Sequence, residues 1–286
     1  MRRAEIAADK PNADFGSKVN GGKMALIRSE EAADATAISV DDGGSGGIPV
    51  IFVHSLAGNA LQWSSQLEHL RKERRAIALD LRGHGLSESP RNGEYSIDSL
   101  AEDIEYAADA SGLQRFILVG HSLGATVSID YAGRYPEKVA GLLLADPSGD
   151  ARKLPAEQIQ PFLAALESES YAEAIEGYWK GLLVGSDQDV QERVMQDLHK
   201  TRRETVVEIF KQSIVYDPLT PLRGYLGPKL SIITHLNDAP FSLHNLLGNL
   251  PHVKMSGTGH WLQMDRPNEF NRILDNFLLS MEKAQG

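Results

Sequence analysis

The chain has 286 residues, of which 42% are hydrophobic and 24% charged, a globular composition that excludes disordered, collagen-like and coiled-coil classes. Its 29 Lys and Arg against 39 Asp and Glu give a formal charge of −10, so nucleic acid is not an expected partner because phosphate backbones are also negative. Cysteine is absent, which excludes disulfides, thiolate catalysis and cysteine-bound zinc.

The N-terminal residues are polar and small, and we interpret residues 1–22 as a flexible tail without an export signal. No stretch approaches the ~18 consecutive apolar residues of a membrane-spanning helix. We therefore expect a cytoplasmic protein with no membrane partner. The sequence makes no prediction of oligomeric state.

Short apolar runs recur along the chain and predict strands. From residue 49 onward, most of these runs do not alternate apolar with polar residues, so both faces of each strand must be covered, as in a parallel sheet between helices. The predicted strands cover residues 24–28, 36–40, 49–53, 76–79, 116–119, 140–145, 230–233 and 253–255.

Helical patterns separate several of these strands, over residues 61–73, 97–110 and 124–135. A final helix is indicated by one apolar stripe at helical spacing. The alternation of strand and helix predicts an α/β fold with a doubly wound, mostly parallel sheet flanked by helices. Ligands of such sheets bind beyond the carboxyl ends of the strands, so the loops after the strands are the candidate site. The stripe consists of Phe270, Ile273, Leu274, Phe277, Leu278 and Met281.

One segment interrupts the alternation. Residues 150–218 contain only helical patterns, over 156–166, 171–183, 189–199 and 204–215. We predict that this helical insertion lies as a lid over the strand ends, and that residues 23–149 and 219–286 form the core domain.

A G-x-S-x-G motif at residues 120–124 contains Ser122 and lies between a predicted strand and a predicted helix. A sharp strand-to-helix turn holds the serine in strained backbone angles and exposes its hydroxyl, and the flanking glycines let the chain cross itself. The same pattern around Ser45 has no continuous apolar run directly before it and no helical pattern after it. Ser122 is therefore the predicted nucleophile.

A serine needs a base, and His260 is the best-placed histidine, after the last predicted strand and before the final helix. The base in turn needs a carboxylate, for which Asp238 and Asp146 both follow strands. We favour Asp238, because it gives the order Ser, acid, His with the acid on the penultimate strand. Asp146, followed by Pro147, is better explained as the turn into the insertion.

These motifs resemble the α/β-hydrolase superfamily from about residue 24 onward, and the insertion resembles the cap of its serine-nucleophile members. Residues 53–58, V-H-S-L-A-G, resemble the oxyanion loop of that family. The resemblance implies that the backbone N–H groups of Leu56 and Leu123 form an oxyanion hole. The sequence departs from the family at Ser55, where glycine is usual, and at residues 235–238, where G-x-x-D is replaced by H-L-N-D.

Residues 80–87, D-L-R-G-H-G-L-S, match a turn common in capped members of the family. We interpret Asp80, Arg82 and Ser87 as structural, because charge-assisted hydrogen bonds fix such loops.

The predicted function is a serine hydrolase that cleaves carboxylic esters of small or medium acyl groups and needs no metal or organic cofactor. Hydrolysis of carbon–carbon bonds in ring-fission diketones, or of lactones, is the alternative, and a non-catalytic small-molecule binding protein is a further one. A dienoate substrate needs a cationic clamp, for which the sequence offers Arg152, Arg202 and Arg203. Trp63, His121 and Trp261 are the candidate substrate contacts.

Overall fold

The apolar runs of the sequence form one eight-stranded sheet in the computed structural model, which describes residues 22–28 and 36–283. The predicted tail, apart from Gly22, lies outside the described residues. The strand order is β1-β2-β4-β3-β5-β6-β7-β8; β2 runs antiparallel to both of its neighbours and all other pairs are parallel, which confirms the predicted fold class. The strands are β1 (Gly22–Arg28), β2 (Ala37–Gly43), β3 (Val50–Val53), β4 (Ala76–Asp80), β5 (Phe116–His121), β6 (Val139–Ala145), β7 (Lys229–Ile233) and β8 (His252–Lys254).

Helices cover both faces of the sheet, so successive strand residues are buried on opposite sides. On β3, Ile51 and Val53 belong to the core beneath α2 and α3, whereas Val50 and Phe52 belong to the core beneath α1 and α11. No helix in the described ranges combines the length and the apolar character needed to cross a bilayer. The helices are α1 (Ser64–Leu70), α2 (Ile97–Ala110), α3 (Leu123–Arg134), α4 (Ala156–Glu167), α5 (Tyr171–Leu182), α6 (Gln188–Lys200), α7 (Arg203–Val215), α8 (Leu219–Gly224), α9 (Leu243–Leu246), α10 (Leu262–Asp265) and α11 (Pro267–Lys283).

The predicted helical insertion lies between β6 and β7, where the chain forms α4 to α7. These helices share a hydrophobic core that includes Leu166, Trp179 and Val206. The same core contains Ala57 and Trp261, which lie in loops beyond the strands. The insertion therefore packs directly on the end of the sheet at which ligands of such folds bind.

Candidate active site

Ser122 lies at the sharp turn between β5 and α3. Its φ of 53° and ψ of −114° place it in a strained region for a residue with a side chain. The two flanking glycines make the turn possible: a Cβ on Gly120 would lie 2.2 Å from the Gly124 carbonyl oxygen, and one on Gly124 would lie 2.3 Å from the Val53 carbonyl oxygen. The predicted need for two small residues thus has a direct steric cause.

Leu56 and Leu123 share a cavity with this serine. Leu56 follows β3, and Leu123 is the first residue of α3, where helix N–H groups lack intrahelical acceptors. Within the described residues, neither N–H donates to a protein acceptor. Both residues line a small cavity of about 70 Å³ together with Ser122 and His260. An anion formed on a group bonded to Ser122 would have these two donors nearby.

His260 lies in the loop between β8 and α10 and is 4% exposed. Its backbone N–H donates to the Leu182 carbonyl oxygen at 2.9 Å, which ties the loop to helix α5. On the ring, Nδ1 lies 2.6 Å from Oδ2 of Asp146. A carboxylate only accepts hydrogen bonds, so Nδ1 carries the proton, and in the neutral ring Nε2 keeps its lone pair.

Asp146 directly follows β6, has a positive φ of 41° and is completely buried. Besides His260, its carboxylate accepts the Thr234 backbone N–H at 2.7 Å and the Thr234 hydroxyl at 3.0 Å. Three donors therefore compensate the burial of this charge and fix its orientation toward the imidazole.

The structure corrects the predicted pairing of Asp238 with His260. Asp238 lies five residues beyond the end of β7, and its side chain is 40% exposed. It binds Lys254 Nζ at 2.8 Å and His244 Nε2 at 3.2 Å. These hydrogen bonds, that from Lys254 above all, lower the pKa of Asp238 to about 2. The Asp238 carboxylate therefore belongs to a surface ion pair. Asp146, the other candidate, occupies the position next to His260 Nδ1 that was predicted for Asp238.

Two of the three predicted substrate contacts are also corrected. Trp63 is fully buried, packed on Phe52 with ring centroids 4.9 Å apart, and it lines neither cavity at Ser122. His121 is buried as well and lines neither cavity. Trp261, by contrast, lines the small cavity and remains a candidate contact.

His121 contacts the backbone of the neighbouring His260. Burial lowers its pKa well below the usual value, with the nearby His260 as a further cause, so the ring is neutral. Its Nε2 donates to the His260 carbonyl oxygen at 2.9 Å, and its Nδ1 faces the Gln263 side-chain amide at 3.4 Å. The residue before the serine therefore helps to hold the loop of His260.

A larger cavity of about 440 Å³ opens from Ser122 and His260 and is roofed by the helical insertion. Among the described residues, none of its lining side chains is charged, and its polar groups are hydroxyls and amides such as Gln158, Ser213 and Asn237. The apolar lining comes from Leu154, Ile159, Phe162, Leu182, Phe210, Ile214 and Phe241.

The three arginines considered as a carboxylate clamp bind protein groups instead. Arg152 pairs with Asp150 and Asp217, and Arg202 pairs with Glu204. Arg203 donates to backbone carbonyl groups and stacks over an aromatic ring of the insertion. None of the three lines the cavity at Ser122. Across residues 22–28 and 36–283, no three side chains group together as a metal site would require.

A family model described as the alpha/beta hydrolase fold matches residues 48–267. The chain belongs to the α/β-hydrolase family.

Individual relatives of this α/β hydrolase match it in part or at low identity. The dihydrolipoyllysine-residue acetyltransferase component of the acetoin cleaving system from Pseudomonas putida is 37% identical over 124 residues, 43% of this chain and 33% of the relative, so the chain spans about a third of that protein. A thermophilic esterase from Thermogutta terrifontis superposes with a TM-score of 0.77 at 23% identity, over 91% of this chain and 99% of the esterase. The enol-lactonase from Burkholderia xenovorans gives a TM-score of 0.74 at 20% identity, over 85% and 97%. At these identities the structural likeness supports the fold.

The turn that resembled capped members of the family has the structural contacts expected of it. Asp80 accepts the backbone N–H groups of Ala60 at 2.7 Å and Leu86 at 2.9 Å. Arg82 pairs with Asp103 at 2.7 Å, both side chains being almost fully buried. Because Asp80 accepts the Ala60 N–H, this turn also stabilises the loop that contains Leu56.

Proposed function

We propose that this α/β hydrolase is a serine hydrolase of carboxylic esters or lactones, with Ser122 as nucleophile, His260 as base and Asp146 as the acid that orients it. The observation that carries the proposal is the 2.6 Å hydrogen bond from His260 Nδ1 to the buried Asp146, beside a strained serine on the same cavity. Asp146 thereby replaces Asp238 in the role assigned from the sequence.

The proposed reaction follows from these groups. Ser122 Oγ attacks the substrate carbonyl carbon while His260 Nε2 takes its proton, and Asp146 stabilises the resulting imidazolium. The N–H groups of Leu56 and Leu123 hold the negative oxygen of the tetrahedral intermediate. When the intermediate collapses, His260 returns the proton to the departing alkoxide oxygen. A water molecule then releases the acyl group from Ser122 by the same two steps.

The lining of the larger cavity favours neutral, largely apolar substrates of small to medium acyl length. A substrate carboxylate would lose its water in the 440 Å³ cavity without a cationic partner on the described lining. This disfavours ring-fission dienoates, whose carbon–carbon hydrolysis was the alternative. Lactones remain within the proposal, since a lactone is a cyclic ester and one structural neighbour is an enol-lactonase.

The nucleophile is tested by hydrolysis of p-nitrophenyl acetate, butyrate and octanoate. We expect Ser122→Ala to lower kcat by about 10⁴-fold or more, because the acyl-enzyme route is lost. The matched control is Ser45→Ala, which alters the exposed serine of the other G-x-S-x-G sequence and leaves kcat unchanged. If Ser122→Ala kept most of the activity, the proposal would be refuted. A wild-type protein that binds small molecules tightly but turns over no ester, lactone or diketone would favour the binding-protein alternative.

The substrate class is tested by comparing p-nitrophenyl butyrate with the hemisuccinate ester, whose acyl chain ends in a carboxylate. We expect kcat/KM for the hemisuccinate to be about 100-fold lower, which corresponds to ~2.7 kcal/mol of uncompensated charge burial. Equal kcat/KM values for the two esters would contradict the proposed neutral cavity.

A further inference from the structure

A chain of buried hydrogen bonds connects residues 54–62, the loop after β3 that contains Leu56, to the helical insertion. Trp261 Nε1 donates to the Ser55 hydroxyl at 3.2 Å, and that hydroxyl donates to Gln62 Oε1 at 3.2 Å. Gln62 Nε2 in turn donates to Asp197 Oδ2 on helix α6 at 3.2 Å. Ser55, Gln62 and Asp197 are 2%, 2% and 8% exposed. Ser55 is the residue at which the sequence departs from the usual glycine, and its hydroxyl is the centre of this chain.

Helix α6 also holds the same loop at one further point. Arg193 donates to the Leu61 carbonyl oxygen at 2.6 Å. Ala57, whose side chain is part of the insertion core, has a positive φ of 53°. The loop is therefore shaped by contacts with the insertion as well as by its own sequence.

A contribution to fold stability does not explain why a carboxylate, Asp197, is buried at this position. Burial raises its pKa, so the protein environment disfavours the charged form. The residue also lies near the C-terminal end of α6, where the helix dipole opposes a negative charge. Burial and the helix dipole thus act against a charge at this position, and the Asp197 carboxylate accepts its side-chain hydrogen bond from Gln62.

Leu56 lies between the two constrained residues of the loop. On one side, the Ser55 carbonyl oxygen accepts hydrogen bonds from His54 Nδ1 at 2.7 Å and from the Gly58 N–H at 3.0 Å. On the other side is Ala57 with its strained backbone. A shift of Ser55 therefore changes the direction of the Leu56 N–H, and a misplacement of about 1 Å in a catalytic group can cost about 100-fold in rate.

We propose that Asp197 and Gln62, acting through Ser55, are positioning residues for the Leu56 N–H, so that the oxyanion hole is fully formed only when helix α6 is docked on the loop. This inference rests on the proposed hydrolase function. It assigns the insertion a role in transition-state stabilisation in addition to roofing the cavity.

The test compares Asp197→Ala, Ser55→Ala and the double variant with Glu192→Ala, an exposed acidic residue of the same helix, as the matched control. With p-nitrophenyl butyrate, we expect each single variant to lower kcat and kcat/KM by about tenfold with KM nearly constant, because the lost interaction acts only in the transition state. The double variant should lose little more than either single variant, since both interrupt one chain. Glu192→Ala should match the wild type.

Two further measurements separate positioning from a structural defect. A trifluoromethyl ketone, whose hemiketal oxygen occupies the oxyanion position, should bind Asp197→Ala about tenfold more weakly. Asp197→Asn, whose amide oxygen can still accept from Gln62, should restore kcat to within about threefold of wild type. If Asp197→Ala does not fold, Ser55→Ala and Asp197→Asn provide the same comparison.

Different experimental outcomes refute the hydrolase proposal and the positioning proposal. If the wild type is inactive on both esters and lactones, or if Ser122→Ala remains active, the hydrolase proposal is wrong. If the wild type is active and Ser122→Ala is not, the positioning role is refuted by wild-type kcat in both Asp197→Ala and Ser55→Ala. Multiplicative losses in the double variant, or losses confined to KM, would refute it as well.

Discussion

Replacement of Asp146 by asparagine is the sharpest test of the proposed catalytic acid. The Thr234 N–H donates to Asp146 Oδ1 at 2.7 Å, and this buried backbone donor needs an oxygen acceptor. In Asp146→Asn, the amide oxygen must take that position, which leaves the NH₂ group where Oδ2 now accepts from His260 Nδ1 at 2.6 Å. His260 then has to accept at Nδ1 and carry its proton on Nε2, the tautomer that cannot take the proton of Ser122.

The size of the effect follows from this tautomer change. A base locked in the wrong tautomer lowers kcat by about 10⁴-fold in serine proteases, so we expect a loss of about 10³- to 10⁴-fold, or ~4 to 5.5 kcal/mol of transition-state stabilisation. The assay is steady-state hydrolysis of p-nitrophenyl butyrate, with thermal melting to verify folding. The matched control is Asp238→Asn, which makes the same chemical change on a surface carboxylate and should keep kcat within about twofold. The reasoning is refuted if Asp146→Asn stays within tenfold of wild type, or if Asp238→Asn loses as much activity as Asp146→Asn.

Two further predictions concern stability. Gly124→Ala should lower the free energy of unfolding by about 3 kcal/mol, because a Cβ there would lie 2.3 Å from the Val53 carbonyl oxygen. Gly177→Ala is the control, because nothing lies within 4 Å of a Cβ at that position, and it should be neutral or slightly stabilising. Urea unfolding followed by circular dichroism measures both changes. Asp238, whose pKa is lowered to about 2 chiefly by Lys254, should contribute stability above about pH 4 that disappears as the pH falls toward 2. Melting temperatures of wild type and Asp238→Asn should therefore converge over that interval, and a constant difference between them would contradict this assignment.

Local patterns in the sequence predicted most of the fold. Helix α2 was predicted with its observed bounds, and the apolar stripe of the last helix gave α11, because a long amphipathic period is a strong signal. The short helices α8, α9 and α10 were not predicted, because four to six residues are too few to show a helical period. The boundaries at residues 150 and 218 remain a prediction.

Two of the candidate catalytic residues were likewise identifiable from the sequence. Ser122 required only a local strand–glycine–serine–helix pattern, and the strain and glycine contacts that this pattern implied are present. His260 required only a position after the last strand, and it lies there on the cavity that contains Ser122. In both cases the deciding feature lies within a few residues of the side chain.

Which carboxylate pairs with His260, and which of the predicted substrate contacts line the cavity, could be determined only from the tertiary structure. Asp146 and Asp238 follow adjacent parallel strands, so both are near the correct edge of the sheet, and both satisfy the order Ser, acid, His. Only the packing shows that the chain turns for five residues beyond β7 and carries Asp238 to the surface, while Asp146 lies directly at the end of β6.

The same distinction applies to the contacts around the site. Trp63 and His121 lie close to catalytic motifs in the sequence but point into the core, and the hydrogen bond between Gln62 and Asp197 joins residues that are 135 positions apart. Sequence spacing determines which element a residue belongs to, because backbone preferences and side-chain periodicity act over a few residues. Which side chains meet at the ends of the strands is decided by the packing of distant segments. In this protein that packing places Asp146 beside His260, leaves the described lining of the larger cavity without charged side chains, and attaches residues 54–62 to the insertion.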